Sequence, residues 1–154
     1  MWEIVRAKNQ KYFEAAKSLI EEYTASLGIN LDFQHFDREL QHFPGHYASP
    51  GGRVFLAKSE NQVAGCVCLR RLAGDVCEMK RLYVKPEYRG QAIGKQLALA
   101  VIQQAKTIGY HCMRLDTLPT MPAAMALYTT LRFRHIEPYY DNPLEGAMFF
   151  ELKL

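Results

Sequence analysis

Apolar residues recur along this chain with two different periods, and the switches between them outline its elements. Residues 2–6 read as a short strand. From Tyr12 to Leu27, Phe13, Ala16, Leu19, Ile20 and Tyr23 recur at helical spacing, and Gly28 follows as a stop. A shorter helix over Asp37–Phe43 is closed by Pro44-Gly45, and residues 44–52 form a Pro/Gly-rich loop. Arg53–Lys58 and Val63–Arg70 read as a hairpin turning through Glu60-Asn61. Gly74-Asp75 turns the chain again, into a strand over Val76–Val84. Pro86 ends that strand, because proline has no N–H to give the ladder. Ile93, Leu97, Ala100, Val101 and Ala105 make one helical stripe within residues 91–107, with Gly109 just past its end. A strand over Cys112–Thr117, a helix over Ala123–Leu131 and strands over Arg134–Pro138 and Ala147–Leu152 complete the pattern.

Antiparallel strands followed by strand–helix–strand predict an α/β fold of the α+β type. Its sheet is mixed but largely antiparallel, flanked by helices, with a crossover between neighbouring strands. The 154 residues hold no repeat or linker, so residues 1–154 are read as one domain.

Composition narrows the picture. Apolar residues make up 49% and charged residues 23%, the balance of a soluble globular protein. No apolar run approaches the roughly 18 to 20 residues that a membrane span needs. The first six residues lack the build of a signal peptide, so the expected location is cytoplasmic. A formal charge of +3 is too small to imply nucleic acid. Cys66, Cys68, Cys77 and Cys112 lie in apolar settings without metal-ligand spacing, so no metal is expected and the thiols read as buried and reduced. Cys66 and Cys68 fall on one strand face.

The segment Val84-Lys85-Pro86-Glu87-Tyr88-Arg89-Gly90-Gln91-Ala92-Ile93-Gly94-Lys95 joins a strand to a helix. A helix start presents unpaired N–H groups and a positive dipole end, which favour a pyrophosphate. Gly90, Ala92 and Gly94 keep bulk away from the backbone, and Arg89 and Lys95 add charge. A well-capped turn with a glycine at a strained angle would have the same sequence. Neither the P-loop spacing nor the dinucleotide fingerprint is present.

Arg89-Gly90-Gln91-Ala92-Ile93-Gly94 resembles the Arg/Gln-x-x-Gly-x-Gly/Ala signature of the GNAT superfamily of N-acetyltransferases. Glu78–Pro86 resembles the strand leading into that family's site. Ala124-Met125-Ala126-Leu127-Tyr128 with Phe133 resembles its later helix, and the likeness runs over about residues 53–139. Ala92 stands where glycine is usual, and the position is expected to need smallness rather than a positive φ. Met121 stands where many members carry an asparagine, and Arg132 replaces the usual glycine before the phenylalanine.

The resemblance implies a GNAT-like fold and acetyl-CoA as cosubstrate, bound by Leu82, Tyr83, Val84, Arg89, Gly90, Gln91, Ala92, Ile93, Gly94 and Lys95. It implies direct transfer in a ternary complex to a primary amine of a small molecule or peptide. A homodimer is left open. An alkylamine is only about one part in a thousand neutral at pH 7, so a base helps. Glu78 is the candidate: it lies six residues before Val84, on the same face under period-two geometry, unless an ion pair with Arg81 or another charge holds it. Tyr128 is the candidate acid, which the resemblance places beside the thioester sulfur; a core tyrosine between Met125 and Leu131 is the alternative. A backbone N–H near Leu82–Val84 is expected to face the oxyanion. The family's usual acceptor walls fall on Phe33, His35, Phe36, Tyr47, Tyr139, Tyr140 and Asp141, with Asp141 or Glu145 able to pair with an amine. A non-catalytic acyl-CoA sensor is the rival class, distinguished by whether Glu78 and Tyr128 both face the thioester.

Overall fold

The computed structural model describes residues 1–28, 35–118 and 122–154. Its elements are β1 (Glu3–Arg6), α1 (Gln10–Leu27), α2 (Phe36–Gln41), β2 (Arg53–Ser59), β3 (Gln62–Ala73), β4 (Val76–Val84), α3 (Ile93–Ile108), β5 (Cys112–Thr117), α4 (Pro122–Thr130), β6 (Arg134–Ile136) and β7 (Met148–Lys153). Each expected element is present, its ends shifted by at most three residues. The local signals act where they stand: the Asn9 side chain accepts from Tyr12 N–H at the start of α1, and Gly28 and Gly109 take left-handed conformations that close α1 and α3.

The strands form one sheet in the order β1-β2-β3-β4-β5-β7-β6. Every neighbouring pair is antiparallel except β4 and β5, which α3 joins as a crossover. The sheet buries both faces. Ile93, Leu97, Val101 and Ala105 of α3 and Tyr128 of α4 pack with Val67, Leu69, Cys77, Met79, Met113 and Leu115. Ala16, Leu19 and Ile20 of α1 pack on the opposite face with Val54, Leu56, Cys66, Cys68 and Tyr83. Cys66 and Cys68 thus share a face, as the alternation predicts.

Two irregularities of β4 shape everything around it. The first is a bulge. Cys66 faces Tyr83 and Cys68 faces Lys80, so two steps along β3 match three along β4. The extra residue shifts the alternation: Cys77 and Met79 point to the α3 face, but Leu82 and Val84, not Arg81 and Tyr83, continue that row. Arg81 takes a φ of 59° within the bulge. Glu78 and Val84 therefore lie on opposite faces, which corrects the period-two expectation. The second irregularity is a parting of strands. β4 and β5 pair only over Val76–Glu78 against Cys112–Arg114, after which both continue apart. The edge of β4 beyond Glu78 opens toward a cleft.

Candidate functional site

The cleft begins at the phosphate-type turn. Gly90 and Ala92 take positive φ values of 85° and 61°, and α3 starts at Ile93 with no side chain capping its first N–H groups and no acidic residue in its first turn. Such a start is built to receive an anion. The positive φ of Ala92 corrects the expectation that smallness alone is needed there. Arg132, the other replacement of a usual glycine, likewise has a φ of 71°. Arg89 is held across the turn, its Nε donating to the Val84 carbonyl at 2.9 Å and its guanidinium lying 5.8 Å from the Tyr83 ring centre. Gln91 turns outward, accepting from the Trp2 indole at 3.1 Å while Trp2 stacks edge-on against Tyr88.

A cavity of about 660 Å³ extends from this turn. Leu82, Tyr83, Val84, Arg89, Gly90, Ala92, Ile93, Gly94 and Lys95 line it, so all the expected cofactor residues except Gln91 meet in one place. Tyr128 lines its far wall. The residues that sequence reasoning missed here are Tyr23, Ser26 and Leu27 at the end of α1 and Ala123, Ala124 and Leu127 of α4. Helical spacing marks these as core positions and carries no sign that a cavity divides the helices. Burial holds the Tyr128 phenol well above its ordinary pKa, and the nearby Tyr23 and Asp116 add to this, so it stays protonated at neutral pH. Its ring packs against Phe133 and Phe150 at 5.7 and 6.3 Å, so it is a core tyrosine that also lines the cavity.

A second cavity, of about 700 Å³, is lined by residues of α2, the loop after it, β3 and β4. Glu78 is on its wall, buried to 1% exposure. Its Oε1 accepts from Arg70 Nε at 2.8 Å and its Oε2 from the Tyr139 hydroxyl at 2.6 Å. The sequence expected Arg81 or another charge as partner. The bulge instead sends Arg81 to Glu39, with two contacts of 2.9 Å and the Phe36 ring at 5.3 Å. Burial pushes the Glu39 carboxyl up, but the hydrogen bonding and charge of Arg81, with Lys80 and Tyr47, together keep it below its usual range. Lys80 faces the same cavity, and burial pulls its ammonium below the usual lysine value. His35, Tyr47 and Tyr140 line this cavity as expected of acceptor walls, while Asp141 and Glu145 are exposed and Phe33 lies outside the described residues, as does Met121. Arg38, Arg70 and Lys80, all missed by sequence reasoning, give it its charge.

The thiols line neither cavity. All four are free, and burial raises Cys66 and Cys77 to about 12, Cys112 to about 11 and Cys68 well above its ordinary value. A thiol held that high is not a thiolate nucleophile at neutral pH. Among the described residues no helix is long and apolar enough to cross a membrane.

With this geometry in view, comparison with known proteins is decisive. Residues 14–133 match the acetyltransferase (GNAT) family. The chain belongs to that family. It is 40% identical over 140 residues to an uncharacterised N-acetyltransferase of Schizosaccharomyces pombe, covering 90% of this chain and 86% of that one. It is 33% identical over 117 residues to the N-acetylaspartate synthetase of Homo sapiens, covering 70% of this chain but only 39% of that protein. A GNAT acetyltransferase from Staphylococcus aureus superposes with a TM-score of 0.80 at 25% identity over 99% of each chain. The PaiA N-acetyltransferase of Thermoplasma acidophilum, solved with coenzyme A, has the same fold with a TM-score of 0.72 at 20% identity, over 100% of this chain and 99% of that one. This GNAT chain is accordingly an acetyl-CoA-dependent N-acetyltransferase.

Proposed function

We propose that this N-acetyltransferase moves the acetyl group of acetyl-CoA directly onto the primary amine of a small, negatively charged amino acid. The pyrophosphate sits on the α3 start, with the thioester in the cleft where β4 and β5 part. The acceptor occupies the second cavity. N–H groups on the open edge of β4 near Leu82–Val84 face the oxyanion, and Tyr128 gives its proton to the leaving sulfur. A raised phenol pKa suits this role, because a thiolate formed in the same dry cleft is also a stronger base than in water. Glu78 deprotonates the amine through a water or holds Arg70 and Tyr139 in place for it.

The observation that carries the acceptor class is the charge of the second cavity. Arg38, Arg70 and Lys80 line it against Glu39 and Glu78, and each carboxylate already faces an arginine. A polyamine or lysine side chain would meet like charge there, whereas a carboxylate would meet an opposite one. The name of the N-acetylaspartate synthetases, an acetylated amino dicarboxylic acid, supports the same class.

The test is a panel of amines with acetyl-CoA and a free-thiol readout. Aspartate or glutamate should exceed asparagine, glutamine and spermidine in kcat/KM by tenfold or more. Arg38→Glu should raise KM for the acidic acceptor while the acetyl-CoA KM stays put. A preference for cationic amines would refute the acceptor class.

A further inference from the structure

Asp116 has no place in the sequence reading, yet Tyr140, which lines the second cavity, is bonded to it. On β5, Met113 and Leu115 point to the α3 core, so Arg114 and Asp116 point the other way. Glu78 is paired with Arg114, and Asp116 lies two residues further, where β4 has already departed. Nothing from β4 covers it in the ladder. The loop between β6 and β7 closes over it instead. The Tyr140 hydroxyl donates to Asp116 Oδ2, and Asn142 Nδ2 donates to the same oxygen at 3.1 Å and lies 3.0 Å from the Tyr140 oxygen. Asn142 is itself fixed by the Leu144 N–H at 2.9 Å. Tyr140 lines the second cavity, and its hydroxyl is bonded to the Asp116 carboxylate.

Resting on the transfer reading above, we propose that Tyr140 and Asp116 are a proton-accepting dyad: the Tyr140 oxygen takes a proton from the acceptor ammonium while its own proton passes to Asp116 Oδ2. The free amine then attacks the thioester carbonyl. The C–N bond forms, the C–S bond breaks and the Tyr128 proton goes to sulfur. The surplus proton remaining on nitrogen restores Tyr128, and Asp116 returns its proton to solvent after the products leave. One proton is released per turnover, as acetylation of an ammonium requires.

Two features favour this dyad over Glu78 alone. Glu78 is committed to an arginine and a tyrosine on opposite sides, whereas the named partners of Asp116 are neutral donors. Asp116 also lies near enough to act electrostatically on Tyr23 and Tyr128 of the first cavity and on Lys80 of the second. Tyr23 comes from α1, Tyr128 from α4 and Lys80 from β4; the closing loop adds Tyr139, and β7 sets the uncharged Phe149 opposite Asp116.

Methylamine and hydroxylamine test the dyad, because they are nearly the same size and neither needs a carboxylate seat. Methylamine is almost wholly protonated at neutral pH and must be deprotonated; hydroxylamine is already mostly free. At pH 7, Asp116→Asn and Tyr140→Phe should each lower kcat/KM for methylamine by about a hundredfold, with the deficit fading as pH rises toward the amine's own pKa. For hydroxylamine the same variants should stay within about threefold of wild type. Equal losses with both probes, or a loss that does not change with pH, would make Asp116 a structural residue and overturn the dyad. No loss with either would also overturn it. If wild type turns over neither probe nor any amine of the panel, the transfer reading on which the dyad rests falls first; if it turns over only a panel amine, the pH dependence of both variants with that amine decides in the same way. A preference for cationic acceptors, by contrast, would refute only the acceptor class.

Discussion

The two cavities that meet on β4 are built in different ways. The cofactor side takes nine of its lining residues from one run, Leu82 to Lys95. The acceptor side also takes eight lining residues from one run, His35 to Tyr47, but its Arg70, Glu78 and Lys80 come from β3 and β4 and its Tyr140 from the loop before β7. A contiguous site depends on local backbone form, which a short motif can encode. A dispersed site depends on register, and one bulge changes which residues it contains. Glu78 stands before the bulge, in register with Arg70; the bulge then sends Arg81 to Glu39 while Leu82 and Val84 turn to the other face.

The largest expected effect breaks the cofactor side alone. A Cβ on Gly94 would stand 3.8 Å from Val84 Cγ2 and 3.9 Å from Leu127 Cδ2, so a larger side chain there projects between the walls of the cavity. Gly94→Glu should therefore abolish the rise in Tm that acetyl-CoA causes in wild type, through bulk and like charge. The melting temperature without ligand should change little. A ligand shift that survives would place the pyrophosphate elsewhere.

The next effect divides binding from chemistry at the boundary between the cavities. Tyr128→Phe keeps the ring against Phe133 and Phe150 and deletes only the acidic proton. Turnover should fall by roughly ten- to a thousandfold, and acetyl-CoA affinity should hold in calorimetry. Wild-type turnover in this variant would take the proton donor away from Tyr128.

The sequence carried much of this. Element order and one-sided burial follow from periodicity, and the turn was visible because Arg89, Gly90 and Gly94 act within one stretch. Tyr128 was visible because its helix repeats a family pattern. The bulge at Arg81 was hidden, since an arginine at positive φ carries no signal that alternation has slipped. Asp116 was hidden for another reason. In the sequence it is one polar residue in an alternating strand, and only the fold brings Tyr140 and Asn142 of the loop before β7 onto it.

A smaller effect concerns how the acceptor side is anchored. Glu151 of β7 accepts from Arg114 of β5 at 2.9 Å and from Arg134 of β6 at 3.0 Å, tying together the strands that carry Asp116 and the closing loop. Hydrogen bonds from Arg134 and Arg114 lower its pKa from 4.5 to about 2. A depressed folded-state pKa stabilises the protein above the unfolded value and ceases to do so as pH falls through the folded one. The stability that Glu151 contributes is thus complete above about pH 4.5 and is lost on the way to about pH 2. Glu151→Gln should lower Tm by a few degrees at pH 7, with the difference from wild type closing across that acid window. A gap that stays constant with pH would assign the loss to packing.

The smallest effect returns to the turn, where chain shape and residue identity disagree. Ala92 caps α3 in a left-handed conformation, with φ 61° and ψ 21°. An L-residue there brings Cβ toward the following carbonyl, at a cost of roughly 1 to 2 kcal/mol. Glycine removes that strain but has a more disordered unfolded chain, which offsets roughly 0.5 to 1 kcal/mol of the gain. Ala92→Gly should therefore be net stabilising by about 0.5 to 1 kcal/mol, a rise in Tm of about 1 to 3 °C for a chain of this size. The acetyl-CoA shift should be unchanged, because the bound form of the turn is the one the backbone already holds. Thermal scans with and without ligand separate the two. A fall in Tm would mean that the alanine methyl has contacts worth more than its strain, and a larger ligand shift in the variant would mean that the turn must move to bind.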